Sequence, residues 1–499
     1  MKRTASTLLL ALLLAACGTT TVVNPVTGRS ERTVMDEATE ITEGAKAHQQ
    51  ILAETPALAS PALQAYVNGV GQKLAAQSHR AQLKWTFTVL DSPEINAFAL
   101  PGGYVYVTRG IMAFLNDEAD LAGVLGHEIG HVTARHGAQR ATSQQSAGVG
   151  VAAATVLGVL IEGVTGVSGV ARTAQQVGQG VAAGRLASYS RDQESQADEL
   201  GAEYLARNRY NPRNMVEVIQ VLKNQERFAA DQAQAEGKPA PQGANWLSSH
   251  PSNDKRLADI QQVAARYAGN SAAAAYGDDG RARYLKAIEG LPFGDSAEQG
   301  LVRGRQFFHE GLDIALTAPE GWRIRNSAEA ITLVNAAADA GLVVRLVPPK
   351  AGASHEDIIR NVFKPADLRT DKRSLNGLAA THFSATTRNA QGQAQVLQAT
   401  LVTGPGQRTY LLQRATKDPA ALQRAAAGLQ EAESSFRALT AADRAAAKPW
   451  LVRTAPMPAG GFAELARRST QNEAVLRLLN GVYGSGADPR PGVAVKLVQ

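Results

Sequence analysis

Two histidines and a glutamate stand in one short run, His127-Glu128-Ile129-Gly130-His131. Residues four apart on an α-helix share a face, so His127 and His131 can hold one metal ion together. Glu128 lies beside the coordination position that such a pair leaves open, where a carboxylate can act as a base on water. Two nitrogen ligands and a base are the minimum for metal-assisted hydrolysis. A catalytic zinc takes three protein ligands, so a third donor must come from elsewhere in the chain. His136 falls roughly 140° round a helix from His131. It is expected to partner a backbone or side-chain group rather than the metal.

The third donor is sought on a later helix, predicted from roughly Arg191 to Asn208. There Glu194 and Asp198 lie four apart on one face. Glu194 can supply an oxygen ligand. Asp198, one turn on, can accept a hydrogen bond from the ring N–H of a ligand histidine, His127 above all, and so fix its tautomer.

These groups need a frame. Acidic Asp117 and Glu118 open the helix that carries His127 and His131, and Leu121, Val124, Leu125 and Ile129 follow helical spacing to bury its other side. Before it, Trp85–Leu90 alternates like a strand. Asn96–Leu100 and Tyr104–Val107 read as two strands joined through Pro101-Gly102-Gly103. A helical pattern runs from about Asp36 to Ala76, an amphipathic helix from Pro212 to about Phe228, and another after His250 to near Ala268. Residues 141–187 are rich in Ala, Gly and Val, and Ala147–Ile161 carries no charge. That run is shorter than the ~20 residues a membrane span needs. A packed helical hairpin is expected there in preference to a membrane-dipping segment. Past an Ala/Gly/Asp-rich stretch at 271–300, strand-like segments at Leu312–Leu316, Ile331–Asn335, Leu342–Val347, Ala379–Thr386, Gln395–Thr403 and Thr409–Arg414 and a helix at Pro419–Phe436 read as an α+β domain. Its histidines, His309, His355 and His382, fall in no metal-like spacing.

The combination His127-Glu128-x-x-His131, Arg191-Asp192-Gln193-Glu194-Ser195-Gln196-Ala197-Asp198 and His250-Pro251 with Arg256-Leu257 resembles the M48 family of zinc metallopeptidases. The segment Asn96–Gly103 fits the same family, and the resemblance covers about residues 35–270. Ala134 and Gly137 exclude the metzincin continuation of the motif. The resemblance implies one Zn2+ per subunit, held by His127, His131 and Glu194, with Glu128 taking a proton from water and passing it to the leaving amine. His250 is the leading candidate for a transition-state donor, with Arg256 or Tyr189 behind it. Alternatively it is a fourth zinc ligand that holds the enzyme latent. Substrate backbone is expected to add to the strand containing Asn96, Ala97, Phe98 and Ala99, or to Tyr104–Val107, which would favour extended polypeptide. The likeness is strongest to periplasmic members acting in outer-membrane quality control, so misfolded or unassembled envelope proteins are the expected substrates. Those members often carry tetratricopeptide repeats, and no 34-residue repeat is evident here.

The N-terminus fits an exported protein. Lys2 and Arg3 precede a short apolar core, and Leu14-Ala15-Ala16-Cys17 has the pattern of a bacterial lipoprotein signal. This implies cleavage before Cys17, lipidation of that residue, and anchoring of a periplasmic protein. Gly18 in place of Asp favours the outer membrane. Cys17 is the only cysteine, which leaves no intramolecular disulfide. A net charge of +6, with Lys and Arg scattered and no aromatic interleaving, gives no support to nucleic-acid binding.

The expected fold class is α+β. A mainly helical zincin-type protease domain with a small edge β-sheet precedes an α+β domain and a small LysM-like unit. The expected boundaries are a signal peptide at 1–16, a tether at 17–35, the metallopeptidase at 36–270, a linker at 271–300, the α+β domain at 301–445, and the C-terminal unit at 446–499. That last unit either binds peptidoglycan or is a plain packing cap. The competing functional class is a non-catalytic envelope lipoprotein acting as a scaffold or peptidoglycan-binding adaptor.

Overall fold

The computed structural model describes residues 20–24, 27–146, 189–235, 250, 254–269, 276, 278–327, 330–388, 394–484 and 486–499. Cys17, the signal sequence, Pro251 and the uncharged run 147–161 lie outside the described residues. The chain divides into two units: one runs through Phe293 and resumes at Leu451–Gln499, and the other is Gly294–Trp450.

The first unit opens with a hairpin of β1 (Thr20–Val23) and β2 (Ser30–Thr33). Helix α1 (Glu37–Glu54) is capped by Asp36, whose carboxylate accepts from the Thr39 N–H. Helix α2 (Pro61–Ala76) starts on a proline, whose missing N–H is no loss at that position. Strands β3 (Thr86–Leu90), β4 (Ala97–Leu100) and β5 (Tyr104–Thr108) form a sheet in the order β3-β5-β4. β3 runs parallel to β5 and β4 antiparallel to it, so β4 is an edge among the described residues.

After α3 (Arg109–Phe114), Asp117 caps α4 (Glu118–Thr133) by accepting from the Asp120 N–H. Every residue of α4 is buried. Arg135, at φ +60°, breaks the chain away from α4 and into α5 (His136–Ser146). Ser190 and Gln193 form a capping box that starts α6 (Arg191–Arg207). Helix α7 (Asn214–Ala235) continues past the expected end at Phe228, because Asp231–Ala235 extends it. Helices α8 (Asp254–Gly269) and α9 (Arg281–Ala287) and the short β6 (Pro292–Phe293) follow.

Helices α4 and α6 cross at close range. A Cβ added at Gly130 would lie 2.8 Å from the Ala197 carbonyl oxygen and 3.0 Å from its Cα. One at Gly201 would lie 3.1 Å from the His127 amide nitrogen. The two backbones therefore touch without side chains between them.

The second unit contains two antiparallel sheets. Strands β7 (Leu301–Arg303), β8 (Gln306–His309) and β9 (Ile314–Thr317) pair in sequence. The larger sheet comprises β10 (Arg323–Asn326), β11 (Ile331–Val334), β12 (Ala340–Leu346), β13 (Asp367–Leu375), β14 (Leu378–Arg388), β15 (Ala394–Thr403) and β16 (Thr409–Thr416), in the order β10-β11-β12-β16-β15-β14-β13. Helix α10 (Pro419–Ser434) covers one of its faces, and β17 (Arg437–Ala438) completes the smaller sheet against β9. The three histidines make local bonds: His355 to Thr381 and Thr403, His382 to Thr400, and His309 to the Leu312 N–H.

The chain then returns to the first unit through β18 (Trp450–Pro456), α11 (Gly461–Ala466), α12 (Glu473–Leu479) and β19 (Ala494–Val498), with the sheet order β19-β18-β6. Two expected boundaries differ from this arrangement. The stretch 271–300 contains α9, where fully buried Tyr284 donates to the Met112 carbonyl at 2.5 Å. Residues 451–499 pack within the first unit. The Lys496 ammonium is buried there and donates to the Ala113 and Leu115 carbonyls at 2.8 and 2.5 Å, closing the end of α3. Composition marked both stretches as polar or separate, but their anchors are single buried side chains, which carry no periodicity. Among the described residues, no helix is long and apolar enough to cross a membrane.

The α4–α6 contact makes a direct prediction. Gly130→Ala places a methyl group against the Ala197 backbone and lowers stability by about 1–3 kcal/mol, the usual effect of overpacking. Denaturant unfolding measures it, and an unchanged midpoint with an unchanged slope contradicts the close contact.

Candidate metal centre

The α4–α6 crossing sets His127 and His131 opposite Glu194. The two histidine Nε2 atoms lie 3.0 Å apart. Glu194 Oε1 is 3.5 Å from His131 Nε2, and Oε2 is 3.6 Å from His127 Nε2. His250 joins them through Nδ1, at 3.2 Å from His127 Nε2 and 2.9 Å from Glu194 Oε1. All four side chains are buried, and their donor atoms lie within 4.8 Å of one another. Ligands of a tetrahedral ion with bonds of about 2.1 Å stand about 3.4 Å apart. Three imidazoles and a carboxylate at these separations fit one zinc ion.

A second layer holds these donors. His127 Nδ1 is 2.8 Å from Asp198 Oδ1. Arg256, from α8, donates to Asp198 through Nε at 2.7 Å and Nη2 at 2.8 Å, and its Nη1 reaches Glu194 Oε2 at 2.6 Å. Burial alone would raise the pKa of both carboxylates. His250 and Arg256 outweigh it at Glu194, and Arg256 with His127 does so at Asp198, so both are held below the usual carboxylate range. Burial pulls the His131 pKa well down, which leaves the ring neutral and its lone pair available to a metal.

Residues 61–264 match the family model described as Peptidase family M48. These residues resemble peptidase family M48. The chain is 31% identical over 222 residues to the beta-barrel assembly-enhancing protease of Yersinia pestis, covering 43% of this chain and 42% of that one. It is 28% identical over 247 residues to the Escherichia coli (strain K12) protein of the same name, covering 48% and 47%. It is 33% identical over 199 residues to the mitochondrial metalloendopeptidase OMA1 of Schizosaccharomyces pombe, covering 40% and 52%. The chain thus spans about half the length of the curated relatives it matches.

Within the matched residues, Glu128 is fully buried, with Oε1 3.6 Å from His250 Nε2. His250 therefore lies between the donor cluster and Glu128. The Tyr189 ring stacks on His131 with centroids 3.8 Å apart, and the Arg140 guanidinium covers it at 4.1 Å. Burial pushes the Tyr189 hydroxyl up to about 12, so it keeps its proton. Ala99 and Leu100 line a small crevice together with His131 and Tyr189. The Thr108 N–H donates to the Asn96 carbonyl, which sets the alternation along β4. Phe98 and Leu100 face β5, and Ala97 and Ala99 turn their backbone groups to the free edge. Asn96 lies before the strand, with its backbone engaged by Thr108. Ala97 and Phe98 have buried side chains, and Phe98 stacks on Tyr106.

Sequence reasoning placed Arg256 only as a reserve donor, and gave no role to Gln196 or Arg140. Arg256 is a clamp on two carboxylates, a role visible only once α8 is laid on α6. The signal available for it was the excess of acidic groups at the motif, which demanded a cation. Arg256→Met removes that cation and leaves two buried carboxylates short of a partner. We expect a loss of about 3–5 kcal/mol in the zinc-free protein. Chemical denaturation in chelator reads it, and a smaller deficit with saturating zinc is expected, since the metal restores positive charge.

Proposed function

We propose that this chain is a zinc-dependent endopeptidase of the bacterial cell envelope. The observation that carries the reading is the buried His127, His131 and Glu194 set with Glu128 beside it. When bound, zinc would polarise the scissile carbonyl and make attacking water more acidic. The Glu128 carboxylate accepts the proton of that water and delivers it to the leaving nitrogen. Asp198 orients His127, and Arg256 keeps Asp198 and Glu194 ionised. An extended substrate pairs with the free edge of β4 at Ala97 and Ala99, which supports selection for unfolded chains. Misfolded or unassembled envelope proteins are the proposed substrates. The lipoprotein-like signal ending at Cys17 supports a periplasmic, outer-membrane-anchored location. The strand–helix–helix–strand order of β18, α11, α12 and β19 supports a LysM-like unit, with peptidoglycan as its ligand.

For His250, the geometry favours the latent-ligand role. Its Nδ1 sits in the donor cluster and its Nε2 faces Glu128, so the ring fills the position that water must enter. Activity then requires this histidine to withdraw.

Glu128→Gln should bind zinc normally and lose at least 10²–10⁴-fold in casein cleavage, the range for a general base. Glu194→Ala should lose the metal, read by metal analysis. His250→Ala should retain zinc and cleave casein faster than the wild type; slower cleavage returns His250 to a transition-state role. A wild type that binds zinc and cleaves nothing, with His250→Ala equally inert, removes the peptidase reading. Ala99→Pro takes one N–H from the free edge without breaking the β4–β5 ladder, and should raise KM with an unchanged melting temperature. Unchanged kinetics would place the substrate elsewhere.

A further inference from the structure

The two histidines of α4 are each backed on the ring nitrogen turned away from the donor cluster, and the two backings differ. His127 is backed by the anionic Asp198. His131 Nδ1 lies 2.8 Å from Nδ1 of His136, which is fully buried, and His136 Nε2 lies 3.2 Å from Gln196 Oε1. A straight helix would carry His136 away from His131. Instead α4 ends at Thr133, and Arg135 at φ +60° turns the chain so that His136 folds back. A left-handed arginine costs energy and persists only where its surroundings hold it. Here Arg135 Nε pairs with Glu40 at 3.0 Å and Nη2 donates to the Met35 carbonyl at 3.0 Å.

Two ring nitrogens at 2.8 Å share one proton, and the surroundings decide whose it is. With the His131 Nε2 lone pair turned to the cluster, the His131 proton sits on Nδ1 and is donated to His136 Nδ1. His136 then carries its own proton on Nε2 and donates it to the Gln196 side-chain carbonyl. One tautomer assignment satisfies every link.

We propose that His136, seated by Gln196, is a positioning residue that fixes the tautomer and ring plane of His131 for zinc. It rests on the zinc reading of the cluster given above. Glu128, Glu194 and Asp198 are already buried together, with Arg256 on two of them and Arg140 over the Tyr189 ring. A neutral backing for His131 adds no further buried charge to this group.

Nitrogen-edited NMR of the zinc-bound wild type should find the proton of His131 on Nδ1 and that of His136 on Nε2. A His131 protonated on Nε2 overturns the proposal. Competition against a chelator of known affinity then reads the metal. His136→Leu should weaken zinc binding by about 10–100-fold, the range for loss of such a partner. His136→Asn, whose Oδ1 can accept from His131, should recover most of that loss. Equal zinc affinity for wild type and His136→Leu overturns the proposal, as does an Asn variant no better than Leu. None of these readouts needs peptidase activity. A wild type that binds zinc without cleaving casein, with His250→Ala equally inert, refutes the peptidase reading and leaves this one standing.

Discussion

The contact between α4 and α6 is what the rest of the site depends on. Two of the four donors come from α4 and one from α6, and metal–ligand bonds tolerate errors of only about 0.2 Å. Side chains of ordinary size would hold two helices 8–10 Å apart. Here Gly130 lies against the Ala197 backbone and Gly201 against the His127 backbone. With nothing but hydrogen atoms between the two main chains, a short Glu194 side chain reaches the imidazoles in an unstrained way. The residues that bind the metal are thus only half of the motif; the glycines between them set the distance.

Such closeness concentrates charge. Glu128, Glu194 and Asp198 are buried within one small volume, where an unpaired carboxylate would lose its ionised form. Arg256 answers this from a third helix, with its planar fork meeting Asp198 at two points and Glu194 at another. The same guanidinium donates to the His250 carbonyl at 3.1 Å. Charge compensation and the placement of His250 are therefore one arrangement: a movement of α8 changes both the electrostatics of the donors and the position of the fourth imidazole.

Much of this was legible in the sequence because it depends on local spacing. The four-residue intervals His127–His131 and Glu194–Asp198 become faces of helices by geometry alone, and the Pro101-Gly102-Gly103 turn announces the β4–β5 hairpin. The segments Gln395–Thr403 and Thr409–Arg414 alternate clearly enough to be found, and the strands end within two residues of them. Strand β13 was missed because its sequence, Asp367–Leu375, is dominated by charged residues, as suits an outer edge that should not recruit another chain. His136 was judged on an unbroken helix, and no periodicity foretells that Arg135 adopts a positive φ. The place of residues 451–499 was hidden for a similar reason: a buried lysine reads as a surface residue until its two carbonyl partners are seen.

That lysine has a consequence for how the protein is made. Lys496 closes the end of α3 across 381 to 383 residues of chain, directly before the helix that carries His127 and His131. Contacts so distant in sequence form late, after the loop between them has been gathered in. Synthesis delivers the N-terminal end first. The intervening unit, Gly294–Trp450, emerges whole and can fold on its own contacts while the unit around it still lacks β18 and β19. The unit that holds the four metal-site donors is therefore closed last, by a strand made after the whole of the other unit.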